Sequence, residues 1–224
     1  MNATEPANLI DRIDPRSICR QFGLSEPSQW LLDLNLGSSE LLRRLIASQH
    51  YADAIRFLAY ALPKPHAVWW AAVCLWQAYR PIPEQAVERA LQHALRWLVE
   101  PTDANRRACE PPDRAEALAT PAGCLAYAVY YSDGSMVAPD LPPVMPPPTL
   151  THRLVAGCVM LAAAHRWSVG ASSFERLHLE ALACGQAIAT GELPLPALPG
   201  PGPQAAVPVG VADAAANPLP EESA

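Results

Sequence analysis

The sequence predicts an all-α protein: eight or nine helices in successive antiparallel hairpins, with one extended Pro-rich loop and a disordered C-terminal tail. Three observations predict it. Apolar residues recur at helical spacing in almost every segment, and prolines and glycines punctuate the intervals. No segment shows the strict alternation of a half-buried strand.

The elements follow in order. Asp14 is a cap residue, Pro15 suits a first helical position, and Gly23 stands just past the end. Residues 38–48 put Leu41, Leu42, Leu45 and Ile46 on one face, and 50–62 repeat the pattern with Tyr51, Ala54, Ile55, Leu58 and Leu62. The next helix spans Lys64 to Tyr79 and stops at Arg80, because a residue before proline is pushed out of the α region. Pro83 opens a helix to Glu100, with Val87, Leu91, Leu95 and Leu98 toward the core. A short polar helix, "TDANRRACE", precedes a broken stretch, and Thr120-Pro121 then starts a helix to Tyr131.

The segment 132–148 holds six prolines in seventeen residues and is read as extended, polyproline-like loop. Helices follow over 149–167 and 172–190, the second opened by Ser172 and Glu175 at capping-box spacing. After Gly191 the composition changes to Pro, Ala, Gly and Val. The expected organisation is a flexible N-terminus at 1–13, one helical domain at 14–191 and a disordered tail at 192–224.

Half of the 224 residues are hydrophobic, enough for a sizeable core. A formal charge of −6 gives no global pull toward nucleic acid or anionic membrane. Lys64 is the single lysine beside fifteen arginines, a codon signature of a GC-rich bacterial genome. No apolar run approaches the roughly 18–20 residues that cross a bilayer, so no membrane insertion is expected. The N-terminus shows no signal-peptide pattern. The six cysteines are dispersed through apolar patterns, which points to reduced thiols and a cytoplasmic protein.

Chemistry-bearing residues are few. In "LPKPHAVWWAAVCLW" a helix apolar all round reads as a central, buried one. Trp69, Val73 and Trp76 form one row, and Trp70 and Cys74 another. The competing reading makes His66, Trp69 and Trp70 the lining of a small-molecule pocket. Catalysis at His66 would need a nucleophile or acid within reach, and none is adjacent in sequence. Glu175 and His178 have the E-x-x-H spacing of di-iron bundles, which need that motif twice. Zinc, phosphate-loop and nucleophile-elbow motifs are missing, so no metal, cofactor or catalytic residue is assigned. Tyr130 and Tyr131 stand before the Pro-rich loop. Together with Met136, Leu141 and Met145 they are the candidate partner-binding surface, unless the loop only wraps the body.

The stretches "YADAIRFLAYALPKPHAVWWAAVCL" (51–75), "LAYAVYYSDGSMVAPDLPPVMPPP" (125–148) and "LVAGCVMLAAA" (154–164) carry the motifs A-V-W-W-A and L-A-Y-A-V-Y-Y-S-x-G-S-M. Over residues 14–190 the chain resembles a family of bacterial helical proteins, a domain of unknown function. The resemblance implies a helical fold and an association with bacterial secretion machinery, type VI in particular, and no activity, cofactor or catalytic residues. The expected function is a non-enzymatic protein-interaction module, an accessory or adaptor in a bacterial multiprotein system. The alternative is a ligand-binding or enzymatic bundle built around His66, Trp69 and Trp70.

Overall fold

A computed structural model describes residues 8–112, 114–138 and 140–197. Among them lie ten α-helices and two 3-10 helices, and no strand. The α-helices are α1 (Pro15–Phe22), α2 (Ser38–Ala47), α3 (Tyr51–Ala61), α4 (Lys64–Tyr79), α5 (Gln85–Val99), α6 (Asp103–Arg107), α7 (Arg114–Ala117), α8 (Pro121–Tyr130), α9 (Leu150–Ser168) and α10 (Phe174–Thr190). Most of the tail assigned to 192–224 falls outside the described residues. The part inside is attached: Leu193 packs against the core and its N–H donates to the Ala187 carbonyl at 3.0 Å.

The all-α expectation is met, and the details sharpen it. Asp14 caps α1 by accepting from the Ser17 N–H at 2.9 Å. Three elements have no counterpart in the periodic reading: the 3-10 helix Leu9–Arg12, the single turn α7 and the 3-10 helix Glu26–Leu34. The first corrects the flexible N-terminus expected at 1–13, because Ile10 is buried in the core and Asp11 accepts from the Ser39 N–H and hydroxyl at 2.9 and 2.7 Å. The third is set by a side chain on α3. The Asp53 carboxylate secures the entry to that 3-10 helix, accepting from the Ser25 N–H at 3.1 Å and the Ser25 hydroxyl at 2.5 Å. The α10 cap is Ser173, one residue later than Ser172; its hydroxyl accepts from the Arg176 N–H. Helix α5 begins at Gln85, and its core face is Val87, Ala90, Leu91, Ala94 and Trp97. Leu95 turns outward at 37% exposed, because the stripe follows 3.6 residues per turn and Ala94 takes the inward place.

Helix α9 is the centre. It packs against α8, α4, α3 and α10. Helices α4 and α9 run parallel: the Cys158 thiol reaches the Ala71 carbonyl, and farther along Tyr79 stacks on His165 at 4.0 Å. Helix α8 runs antiparallel to α9. Thr151 donates to the Tyr131 carbonyl at 3.1 Å, and Gly157 faces Cys124. The tetrapeptide Leu-Ala-Tyr-Ala occurs on both α3 (58–61) and α8 (125–128), buried each time, and both helices lie against α9.

Trp70 joins three helices. It is fully buried, and its indole Nε1–H donates to the Ala181 carbonyl of α10 at 2.7 Å. A side chain on Gly185 would place Cβ 2.6 Å from Leu58 Cδ2 and 2.8 Å from Trp70 Cε2, so only glycine lets α3, α4 and α10 converge there. The rest of α4 departs from a helix buried all round. Trp69 and Val73 are half-buried, and Trp76 is 45% exposed. That row projects outward because the packed neighbours of α4 cover only the arc centred on Ala67, Ala71, Cys74 and Leu75.

Trp70→Ala should therefore cost about 3–5 kcal/mol, from lost packing and an orphaned carbonyl. His66→Ala, on the half-buried rim, should cost about 1 kcal/mol or less. Chemical denaturation of the two variants checks the contrast. Equal stabilities would show that Trp70 is not a core residue.

Candidate functional site

The most organised polar structure lies at the base of the Pro-rich loop. The α6 cap is Thr102, whose hydroxyl accepts from the Asn105 N–H at 3.2 Å. One turn later Arg106 is only 2% exposed. Its Nη1 donates to the Tyr130 carbonyl at the end of α8. Its Nη2 donates to Asp103 Oδ1 at 2.6 Å and to the Ser135 carbonyl at 3.1 Å. The guanidinium also stands over the Tyr130 ring, 5.3 Å from its centroid. Arg107 donates to the other Asp103 oxygen at 2.7 Å and to Ser135 O at 3.2 Å. Hydrogen bonds from Arg107 and Arg106 hold the Asp103 carboxyl below its ordinary pKa.

The loop itself is cross-braced. The Met136 N–H donates to Val144 O at 2.8 Å, and the Ser135 hydroxyl accepts from the backbone N–H groups of Val137 and Val144. Tyr130 donates its hydroxyl proton to Met136 O at 3.0 Å, and Lys64 Nζ donates to Ser132 O at 2.5 Å. Gly134 has φ +66°, and a Cβ there would lie 3.2 Å from Arg106 Nη2 and from Asp103 Oδ1.

This geometry corrects the sequence-based surface. Tyr130 and Tyr131 are 5% and 4% exposed and belong to the core. Tyr131 stacks on Tyr127 at 5.4 Å and meets Tyr130 edge-on at 5.0 Å. The signal was present: α8 carries no charged residue, so all its faces are apolar and all become buried. Met136 is partly buried against the core. What faces outward is the far part of the loop, with Leu141 54%, Val144 48% and Met145 59% exposed. The loop wraps at its base and projects at its tip. Sequence reasoning missed Arg106, whose only signal was an Asp103–Arg106 pair at i, i+3 in a short polar helix.

The residues of the alternative pocket do not converge. Trp70 points into the α10 contact, while His66 and Trp69 sit on the outward row of α4. His66 Nδ1 and Trp69 Nε1 are nonetheless covered and lack hydrogen-bond partners, as do Ser132 Oγ and His152 Nδ1. Burial lowers the pKa of His66. His152 falls to about 4, through burial and then the nearby Lys64 ammonium, which outweigh the Leu62 carbonyl beside it. The E-x-x-H pair is structural: His178 Nδ1 bonds Phe174 O at 2.7 Å, and Glu175 accepts from the Tyr51 hydroxyl at 3.0 Å. Among the described residues, no group of three or more His, Cys, Asp or Glu side chains is placed to hold a metal. None of their helices is long and apolar enough to cross a membrane.

Arg106→Ala should destabilise by about 2–4 kcal/mol, since it strands the carbonyls of Tyr130 and Ser135. It should also open residues 136–146 to proteolysis. Limited digestion with mass mapping checks this, and a loop as resistant as in the parent would show that Arg106 does not hold it.

His152 makes stability pH-dependent. The folded protein keeps the ring neutral, so the unfolded chain takes up the proton first. The stabilisation is full above the ordinary value of 6.5 and is lost as pH falls from there toward 4. Its size is on the order of 3 kcal/mol. Melting temperatures between about pH 7 and pH 4 should fall less steeply in His152→Gln than in the parent. Identical slopes would assign the acid sensitivity elsewhere.

Comparison with known proteins places these elements. No curated protein matches the chain, and no solved structure matches it. A family model does match, over residues 41–189 and so over more than half of the chain. The match spans α9 and every helix packed on it, together with Arg106 and the Pro-rich loop, and on that extent the chain belongs to the family of unknown function DUF6931.

Proposed function

We propose that this protein is a non-enzymatic helical interaction module whose contact surface is the tip of the Pro-rich loop. One observation carries the reading. Leu141, Val144 and Met145 are each about half exposed, on a loop whose base is clamped by the buried Arg106. Exposed apolar side chains attract a partner surface, and a segment already ordered by its own hydrogen bonds loses little further entropy on binding. The segment doubles back, with the Met136 N–H bonded to Val144 O and the Leu141 N–H to Ala138 O, so its apolar side chains stand on a braced turn that suits docking into an apolar groove. The occupant is a folded protein with such a groove. The reading places the module in the cytoplasm as an accessory or adaptor of a bacterial multiprotein system, and a type VI secretion apparatus is one such setting.

A second reading has its own support. His66 Nδ1 and Trp69 Nε1 are covered, unpartnered and one turn apart on α4, and a small molecule offering a donor and an acceptor would satisfy both.

A photo-crosslinking residue at position 144, introduced in the native host, separates the two. The first reading expects a discrete crosslinked protein, which disappears when Leu141→Ser and Met145→Ser are added and is not formed from exposed Arg89 on α5. Helical circular dichroism should be unchanged, because the clamp at Arg106 and Met136 is left intact. Crosslinks that survive the two substitutions would sink the loop as the contact surface. Partner loss on His66→Ala and Trp69→Phe instead would move the function to α4.

A further inference from the structure

Helix α4 has no Asp, Glu, Lys or Arg between Lys64 and Arg80, and one of its faces is left incompletely covered. Trp69 and Val73 on that face are half-buried, and Trp76 is 45% exposed. The two indoles are seven positions apart, about 10 Å along the helix. Aromatic side chains on a charge-free surface suit the packing of proline rings.

The chain itself delivers prolines to one end of this row. Helix α10 runs antiparallel to α4: Trp70 meets Ala181 and Gly185, and farther along α4 Gln77 shares a crevice with Leu177. The end of α10 at Thr190 therefore lies toward the first turn of α4, at the Trp69 end of the row. There the chain turns back. Gly191 sits in the left-handed region at φ +81°, and the Leu193 N–H donates to the Ala187 carbonyl at 3.0 Å while the Leu193 side chain packs on the core. Leu195 and Pro196 are partly covered as well, so the chain stays against the body as far as it is described. Residues 198–224 continue from that point, and no charged residue occurs between Leu193 and Ala212.

We propose that the segment 198–209, "LPGPGPQAAVPV", docks along the Trp69–Trp76 face of α4 in its own chain. Four of its twelve residues are proline, which restricts the free backbone and lowers the entropy lost on docking. An extended Pro-rich strand advances about 3 Å per residue, so about four residues span the row and the segment is long enough to cover it. Neither surface carries a charge, so the contact leaves no ion stripped of water. Because the segment is tethered at the Trp69 end of the row, its effective concentration there is on the order of millimolar, which favours it over a Pro-rich segment from another molecule. The docked segment covers Val73 and Trp76 and shields an apolar helix face that the packed helices leave open. The contact is separate from the Pro-rich loop and does not depend on what that loop binds.

The test compares the full chain with a full-length variant carrying Pro199→Asp, Pro201→Asp and Pro203→Asp. Hydroxyl-radical footprinting with tandem mass spectrometry reads each tryptophan separately. Oxidation of Trp76 should rise severalfold in the variant, and that of Trp69 by less, with helical circular dichroism unchanged. Trp30 and Trp167 are the controls. Both are exposed, and Trp167 stands beside Phe174 at the start of α10, the end away from the segment. A second measurement needs no charge change: a photo-crosslinking residue in place of Ala205 should link to a peptide containing Trp69 and Trp76. In an equal mixture of isotopically light and heavy chains, the linked peptides should be all light or all heavy. Equal Trp76 oxidation in parent and variant, a rise confined to Trp30 or Trp167, or crosslinks to another surface would each overturn the proposal. Mixed light–heavy crosslinks would overturn it in favour of docking between two copies.

Discussion

The absence of a side chain at Gly185 is the constraint on which the rest of the packing depends. Leu58 from α3 and Trp70 from α4 both rest on that one position of α10, and a Cβ there would overlap both. A close contact of this kind cannot be spread over neighbouring residues, because interiors are already packed at crystal density. Once Trp70 is seated, its indole N–H has Ala181 O within reach, so burying that donor carries no desolvation penalty. With α3, α4 and α10 set against one another, α9 has its walls, and α8 closes the remaining side.

The second constraint is electrostatic, and it connects the body to its loop. A guanidinium as deeply buried as that of Arg106 is tolerated only when its donors are used. Asp103 supplies the countercharge, and the carbonyls of Tyr130 and Ser135 supply the acceptors. Those two carbonyls lie at the start of the loop, so satisfying the arginine and fixing the loop base are the same event. Proline restricts the remaining backbone, which leaves Leu141, Val144 and Met145 outward on a short, pre-shaped segment. The interaction reading therefore rests on how the loop is held as well as on what it displays.

Much of this was legible in the chain. Helix starts and stops came through where a local rule operates: Asp14 and Thr120 as caps, Arg80 before Pro81 as a stop, and Gly191 in the left-handed region as the end of α10. Trp70 as core and the all-helical class followed from periodicity alone. Less legible was which side of an apolar helix stays open. On α4 every face is apolar, yet the Trp69, Val73 and Trp76 row is only partly covered, with Trp69 packed on the core and Trp76 exposed. On α8 the same lack of polarity ends in complete burial of Tyr130 and Tyr131. Sequence records hydrophobicity, whereas exposure is decided by how many helices surround each one.

By itself, then, the sequence determined the secondary structure and its punctuation, since caps, glycines and prolines act within a turn of themselves. It also determined that the loop 132–148 would not be helical, because six prolines remove backbone donors, but not that it would double back and bring the Met136 N–H onto Val144 O. Only the tertiary structure decided that Arg106 would anchor that loop and that Glu175 would serve Tyr51. Each of these joins residues that are one or more elements apart or depends on a neighbour brought in by packing. No spacing rule carries such information, because the distance between the partners is set by the crossing of helices and not by the chain between them.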